Sequence, residues 1–180
     1  KGVIREALAK RSLGGEASER EKAHAFYDYC VEQVAYGRMG GLKPGDDALP
    51  GDHVAAGMRG DCKDQTSLLR ALLTEIGVEC QAAAVTVADA GKTRFLPSQR
   101  FDHVILRATV DGETLWLDPT AKHVVFGNVP QELEGTSALL IDASGGASWD
   151  EIAVSGVDRN HASYAAAGAL VGEDLEIDLR

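Results

Sequence analysis

Arg59-Gly60-Asp61-Cys62-Lys63-Asp64-Gln65 runs without a break into Thr66-Ser67-Leu68-Leu69-Arg70-Ala71-Leu72-Leu73-Thr74-Glu75-Ile76-Gly77. Leu68, Leu69, Leu72, Leu73 and Ile76 recur at helical spacing and form one dense apolar stripe, and Gly77 is a natural C-terminal stop. Asp61 is placed to cap this helix, which makes Cys62 its first residue and Asp64 its third. A thiol so placed sits at the positive end of the helix dipole, where its anion is favoured. Asp61 opposes that effect and Lys63 restores it. The stretch therefore predicts a deeply buried helix that carries a candidate nucleophile at its start.

Upstream, residues 3–13 carry a short amphipathic pattern that ends at Gly14-Gly15, and Ser18-Glu19-Arg20-Glu21 offers a capping box. From Ala23 through Phe26, Tyr27, Cys30, Val31 and Val34 the apolar positions follow helical spacing and predict a second helix ending near Tyr36-Gly37. His24 reads as a surface residue of this helix. Residues 37–57 hold six glycines and two prolines, which predicts a long surface loop. His53 lies in it, close enough in sequence to Cys62 to be a rival partner for the thiol.

Downstream, Val78 to Ala88 reads as a strand and Asp89 to Arg100 as a polar loop. Asp111-Gly112 between alternating runs then predicts a two-residue hairpin turn joining 101–110 to 113–117. Pairing Val110 with Glu113 puts Val104, Leu106, Ala108, Val110, Leu115 and Leu117 on one face, expected to be the core face. His103, Ile105, Arg107, Thr109, Thr114, Trp116 and Asp118 fall on the other. His103 and Asp118 then sit diagonally across the pair, about 7–8 Å apart at the backbone and within side-chain reach. Ser137 to Asp142, Ile152 to Val154 and Leu175 to Leu179 complete the expected strands.

The net charge of −10, from 18 basic and 28 acidic residues with no basic cluster, excludes nucleic acid as a primary partner. No apolar run reaches the ~18 residues that read as a membrane span, the longest candidate being Ser163 to Val171. The three cysteines, Cys30, Cys62 and Cys80, lack CxxC spacing, so neither a disulfide framework nor a zinc ribbon is expected. Cys30 lies on an apolar stripe and Cys80 in a strand, where a thiol is a small buried hydrophobe. A metal site from Cys62, His53 and His103 lacks a ligand pair with local spacing, so no metal and no cofactor is expected.

These residues resemble a known family. Gly60-Asp61-Cys62-Lys63-Asp64, Phe101-Asp102-His103-Val104 and Trp116-Leu117-Asp118-Pro119-Thr120 are similar, in order and spacing, to the three core motifs of the transglutaminase-like superfamily, in its bacterial branch with the GDCKD signature. The resemblance runs from about Glu21 to Ile141. It implies an α+β, papain-like fold in which the nucleophile helix packs on an antiparallel sheet. It further implies Cys62 as nucleophile, His103 as general base and acid, and Asp118 as the orienting carboxylate.

Thiol acyl-transfer enzymes of this architecture often use a Gln or Trp upstream of the cysteine as an oxyanion donor, and Gly51 to Asp61 contains neither. The Cys62 backbone N–H, at the helix start capped by Asp61, is one donor; the second has no assignment. Trp116, Asp64 and His53 are candidates for the cleft, with the loops 37–57 and 89–100 shaping it.

The expected function is thiol-dependent acyl transfer on a protein or peptide amide, ending in hydrolysis or in transfer to an amine. The alternative is a non-catalytic binding or assembly module of a larger bacterial envelope protein. Residues 1–155 are expected to form the domain, with helices in 1–36 and the catalytic core in 58–142. Residues 156–180 form a strand segment expected to lead into a further domain. Relatives with this signature are often exported, which points to the cell envelope.

Overall fold

The computed structural model describes residues 2–37, 48–87, 101–142 and 144–156, together with the backbone of 166–171 and 174–179. The expected loop 89–100 lies outside them. Helix α1 (Gly2–Lys10) precedes α2 (Glu19–Gln33), which begins at the expected capping box: Ser18 accepts from the Glu21 N–H, and Glu21 reaches back to the Ser18 N–H. The chain then forms a two-residue strand β1 (Ala35–Tyr36), a short helix α3 (Gly51–Gly57) and a second two-residue strand β2 (Arg59–Gly60), parallel to β1.

Helix α4 (Cys62–Thr74) follows at once. Asp61 is its N-cap, and Asp61 and Asp64 close a reciprocal capping box. At the far end Gly77, at φ +85, lets the Val78 N–H reach the Leu73 carbonyl (3.1 Å) and its own N–H reach Thr74 (3.0 Å). Both leave the helix end satisfied at a backbone conformation that suits glycine.

The main sheet contains β3 (Glu79–Val85), β4 (His103–Val110), β5 (Glu113–Leu117), β6 (Ser137–Ile141) and β7 (Ala147–Glu151) in the order β5-β4-β3-β6-β7, all antiparallel. The hairpin has the predicted register, with Val110 opposite Glu113 and Leu106 opposite Leu117. Asp111 (φ 50) and Gly112 (φ 79) both adopt the left-handed conformation that a type I′ turn requires. A separate two-stranded ladder pairs β8 (Ala166–Val171) with β9 (Asp174–Leu179), the latter matching the expected C-terminal strand.

The first core lies between the helices and one face of the sheet. Phe26, Tyr27, Cys30, Leu68, Leu69, Leu72 and Leu73 pack there with Leu106, Ala108, Val110, Leu115 and Leu117. Burying each of the α4 leucines stabilises the fold by about 1.5–3 kcal/mol. Helices packed on an antiparallel sheet make the α+β arrangement expected from the sequence.

Three expectations are corrected. The face carrying Ile105 and Trp116 is not solvated, because Val129, Leu133 and Ile152 fold back over it with Ala83, Val85, Ala138 and Leu140 to make a second core. Residues 51–57 are helical rather than loop; Pro50 presets the entry to α3, and Val54 is fully buried beneath it. The strand is not at 152–154 but ends just before it, as β7 (Ala147–Glu151), with Ile152 tied to Thr136 by its N–H (3.0 Å) and to Gly135 by its carbonyl (2.7 Å). Residues 38–47 of the expected loop lie outside the described residues. Among the described residues, no helix is long and apolar enough to cross a membrane.

Candidate active site

The site forms where the start of α4 meets the start of β4 and the end of β5. Helix α4 is pinned there by Thr66, whose hydroxyl donates to the Val104 carbonyl (3.0 Å), one turn after Cys62. Gln65, fully buried, donates its amide to the Gly60 carbonyl (3.0 Å) and fixes the approach to the helix. Gly60 has no room for a side chain: a Cβ there would lie 2.7 Å from the Asp64 Cβ and 3.3 Å from Val54 Cγ1.

Cys62 is half-buried and lies close enough to the His103 imidazole to act on its proton affinity. His103 Nε2 lies 2.7 Å from Asp118 Oδ2, so Nδ1 is the ring nitrogen left for the thiol. Of the sequence-predicted residues, His103 and Asp118 are thus in direct contact, with Cys62 close enough to act on the imidazole. The other Asp118 oxygen, Oδ1, accepts from the Thr120 N–H (2.9 Å) and from its hydroxyl (2.7 Å). Behind them, the buried Tyr27 of α2 donates its hydroxyl to the Asp118 carbonyl (3.2 Å) and the Val124 carbonyl (3.0 Å).

These contacts set the charges. Burial works against a proton on His103, but the hydrogen bond to Asp118, the nearby Cys62 and the charges of both outweigh it, raising the imidazole pKa from 6.5 to about 10. Burial likewise pushes the Asp118 carboxyl up, and the hydrogen bond and charge of His103, with both Thr120 donors, bring it below its ordinary 3.8. His103 and Asp118 therefore form an imidazolium–carboxylate pair across the neutral range. Burial also acts on Asp61, where the Lys63 ammonium and the Asp64 and Lys63 N–H groups prevail and hold it below 3.8. Lys63 and Asp61 make an ion pair, which offsets the negative charge next to the thiol.

The remaining thiols are differently placed. Cys30 is fully buried, and burial alone pushes its pKa strongly upward. Burial also raises that of Cys80, which sits against Thr74 (3.8 Å).

A cavity of about 460 Å³ opens on the imidazole–carboxylate pair, lined also by Val87, Thr120, Pro130 and Leu133. Trp116 is not part of it. The indole is buried in the second core and borders a separate cavity of about 250 Å³ next to Gly127 and Ile152, because the chain folds back over that face. Asp64 is buried as the capping partner of Asp61 and also accepts from the Leu49 N–H (2.8 Å), so its carboxylate is engaged in structure. His53 is exposed on α3, with its backbone N–H on the Pro50 carbonyl. Among the described residues, no group of three or more His, Cys, Asp or Glu could hold a metal.

Sequence reasoning passed over Thr120 and Tyr27. The Asp-x-Thr spacing at 118–120 was a usable signal, since an Asp two residues before a donor readily bonds its own backbone. Tyr27 left none, being one apolar position among several on its helix.

No match is found among curated proteins. Among solved structures, a "putative protease" from Parabacteroides distasonis ATCC 8503 superposes with a TM-score of 0.59 at 17% identity, over 86% of this chain and 28% of that one. A "putative cysteine protease" from Cytophaga hutchinsonii gives a TM-score of 0.45 at 13% identity, over 99% of this chain and 50% of that one. The chain thus spans half or less of the length of these proteins. The sequence matches the transglutaminase-like superfamily over residues 6–161, and the chain belongs to that family.

Proposed function

We propose that this protein is a cysteine-dependent acyl-transfer enzyme acting on a protein or peptide amide, with Cys62 as nucleophile, His103 as proton carrier and Asp118 as its orienting carboxylate. Its Gly60-Asp61-Cys62-Lys63-Asp64 signature supports a place in the bacterial branch of the family. The observation that carries the reading is the His103–Asp118 pair, with Nε2 and Oδ2 2.7 Å apart, beside the start of the helix that bears Cys62.

In this reading the sulfur attacks the amide carbonyl carbon, a C–S bond forms, and the π electron pair moves to oxygen. His103 donates its proton to the leaving nitrogen, the C–N bond breaks, and a thioester remains on Cys62. Water or an amine, deprotonated by the now neutral imidazole, then displaces the sulfur. Asp118 keeps Nδ1 aimed at the thiol and stabilises the imidazolium throughout. Thr120 and Tyr27 hold Asp118 by its side chain and its main chain.

Alkylation of the folded protein by iodoacetamide near neutral pH tests this. Cys62 is expected to react at least about tenfold faster than Cys30 or Cys80, as an activated thiol does, and Cys62→Ala to abolish activity. If Cys62 reacts no faster than the other two and Cys62→Ala retains the biological activity, the chain is a binding module rather than an enzyme.

A further inference from the structure

An anionic tetrahedral intermediate at Cys62 calls for two donors aimed at its oxygen. One is in place: the Cys62 N–H, at the first position of α4, makes no hydrogen bond among the described residues. The side-chain donors around that first turn are engaged elsewhere. Gln65 donates to Gly60, Thr66 to Val104 and Thr120 to Asp118, while Lys63 is paired with Asp61.

Tyr36 is different. The β1–β2 pairing sets it directly beside Gly60, two residues before the nucleophile, through the Ala35 N–H on the Met58 carbonyl (2.9 Å) and the Gly37 N–H on the Gly60 carbonyl (3.1 Å). Residues in register across a parallel pair present their side chains to the same side. The side of Gly60 is the one where a Cβ would strike Asp64, in the first turn of α4. The charges of Cys62, Asp61, Lys63 and Asp118 all act on the Tyr36 phenol, in keeping with that placement. Its hydroxyl has no hydrogen-bond partner among the described residues, and at 58% exposed it is a large aromatic left for a substrate to cover.

The geometry points to Tyr36 as the second oxyanion donor, its O–H and the Cys62 N–H together holding the carbonyl oxygen when the C–S bond forms. This assignment rests on the acyl-transfer reading above. Partial burial and the negative charges of Cys62, Asp61 and Asp118 keep the phenol protonated, so the donor is present at neutral and mildly alkaline pH. The role was invisible to a search confined to the residues just upstream of the cysteine, because Tyr36 arrives by strand pairing from the end of another helix.

Two electrophiles separate the possibilities. Acylation of Cys62 by p-nitrophenyl acetate passes through an oxyanion, whereas alkylation by iodoacetamide displaces iodide at a saturated carbon and forms none. Tyr36→Phe removes one exposed hydroxyl and is expected to slow acylation about 10²-fold, the effect of losing one such donor, while the alkylation rate stays within about twofold. Equal losses with both reagents would mean that Tyr36 acts on the thiol itself and would overturn the assignment, as would an unchanged acylation rate. A wild-type Cys62 that iodoacetamide fails to single out would instead remove the acyl-transfer reading, and this assignment with it.

Discussion

Replacing Gly60 by alanine puts a methyl group where the structure has no space. The new Cβ would lie 2.7 Å from the Asp64 Cβ, so β2 and the first turn of α4 must separate by about 0.7 Å to reach ordinary contact. Asp64 cannot swing aside freely: its Oδ1 accepts from Leu49 (2.8 Å) and its Oδ2 from Asp61 (3.1 Å). Overpacking of this kind costs about 1–3 kcal/mol, and weakening a hydrogen bond to a buried charge adds about as much. A total of about 2–6 kcal/mol lowers the midpoint of thermal unfolding by about 5–25 °C for a chain of this size. Because the displaced turn carries Cys62, the variant should also alkylate more slowly at that residue.

Gly77→Ala is the control. It has nothing within 4 Å of the added methyl and meets only the positive φ of +85, a cost of about 1–2 kcal/mol. It should leave Cys62 alkylation unchanged. Circular dichroism melts of the three proteins, with thiol alkylation run in parallel, decide the matter. A Gly60→Ala protein that melts within about 1 °C of wild type would refute the reasoning that the close approach of Gly60 to Asp64 sets the position of the nucleophile.

The His103–Asp118 pair predicts how stability depends on pH. The contribution of His103, whose folded pKa is raised, is complete below the 6.5 of the unfolded chain and is lost as pH rises through about 10. That of Asp118, whose folded pKa is lowered, is present above 3.8 and is lost as pH falls through the depressed value. The difference in urea midpoint between wild type and His103→Gln should therefore shrink steadily between pH 6.5 and about 10; a difference that stays level would contradict the pairing. Thr120→Val removes one of two donors to Asp118 Oδ1 and keeps the other. It is expected to lower stability by about 1–2 kcal/mol and to slow p-nitrophenyl acetate acylation several-fold, read by urea denaturation and stopped-flow absorbance.

Much of this arrangement is local and therefore legible in the chain. Asp111-Gly112 sets the hairpin register, and the register alone puts His103 and Asp118 on one face. Ser18 with Glu21, and Asp61 with Asp64, announce the starts of α2 and α4 by spacing. What escaped depends on distant partners. The glycine at 51 reads as loop freedom, yet it serves close packing, since a Cβ there would meet Ala71 Cβ and Leu68 Cα at 3.2 Å as α3 crosses α4. The second core was hidden because its cover comes from Val129 and Leu133, which lie in no periodic pattern, and from Ile152, which read as part of a strand. That cover also moved Trp116 from a supposed cleft wall into the interior. Strand β7 carries alternating polar residues with an exposed Trp149 and offers no pattern to detect.

The central claim is that Cys62 forms a covalent acyl intermediate. Wild-type protein mixed with p-nitrophenyl acetate and quenched before turnover should carry one acetyl group by intact mass, mapped to Cys62 by peptide digestion, removed by hydroxylamine and absent from Cys62→Ala. Acetylation spread over lysines, or equal labelling of the Cys62→Ala protein, would contradict the account.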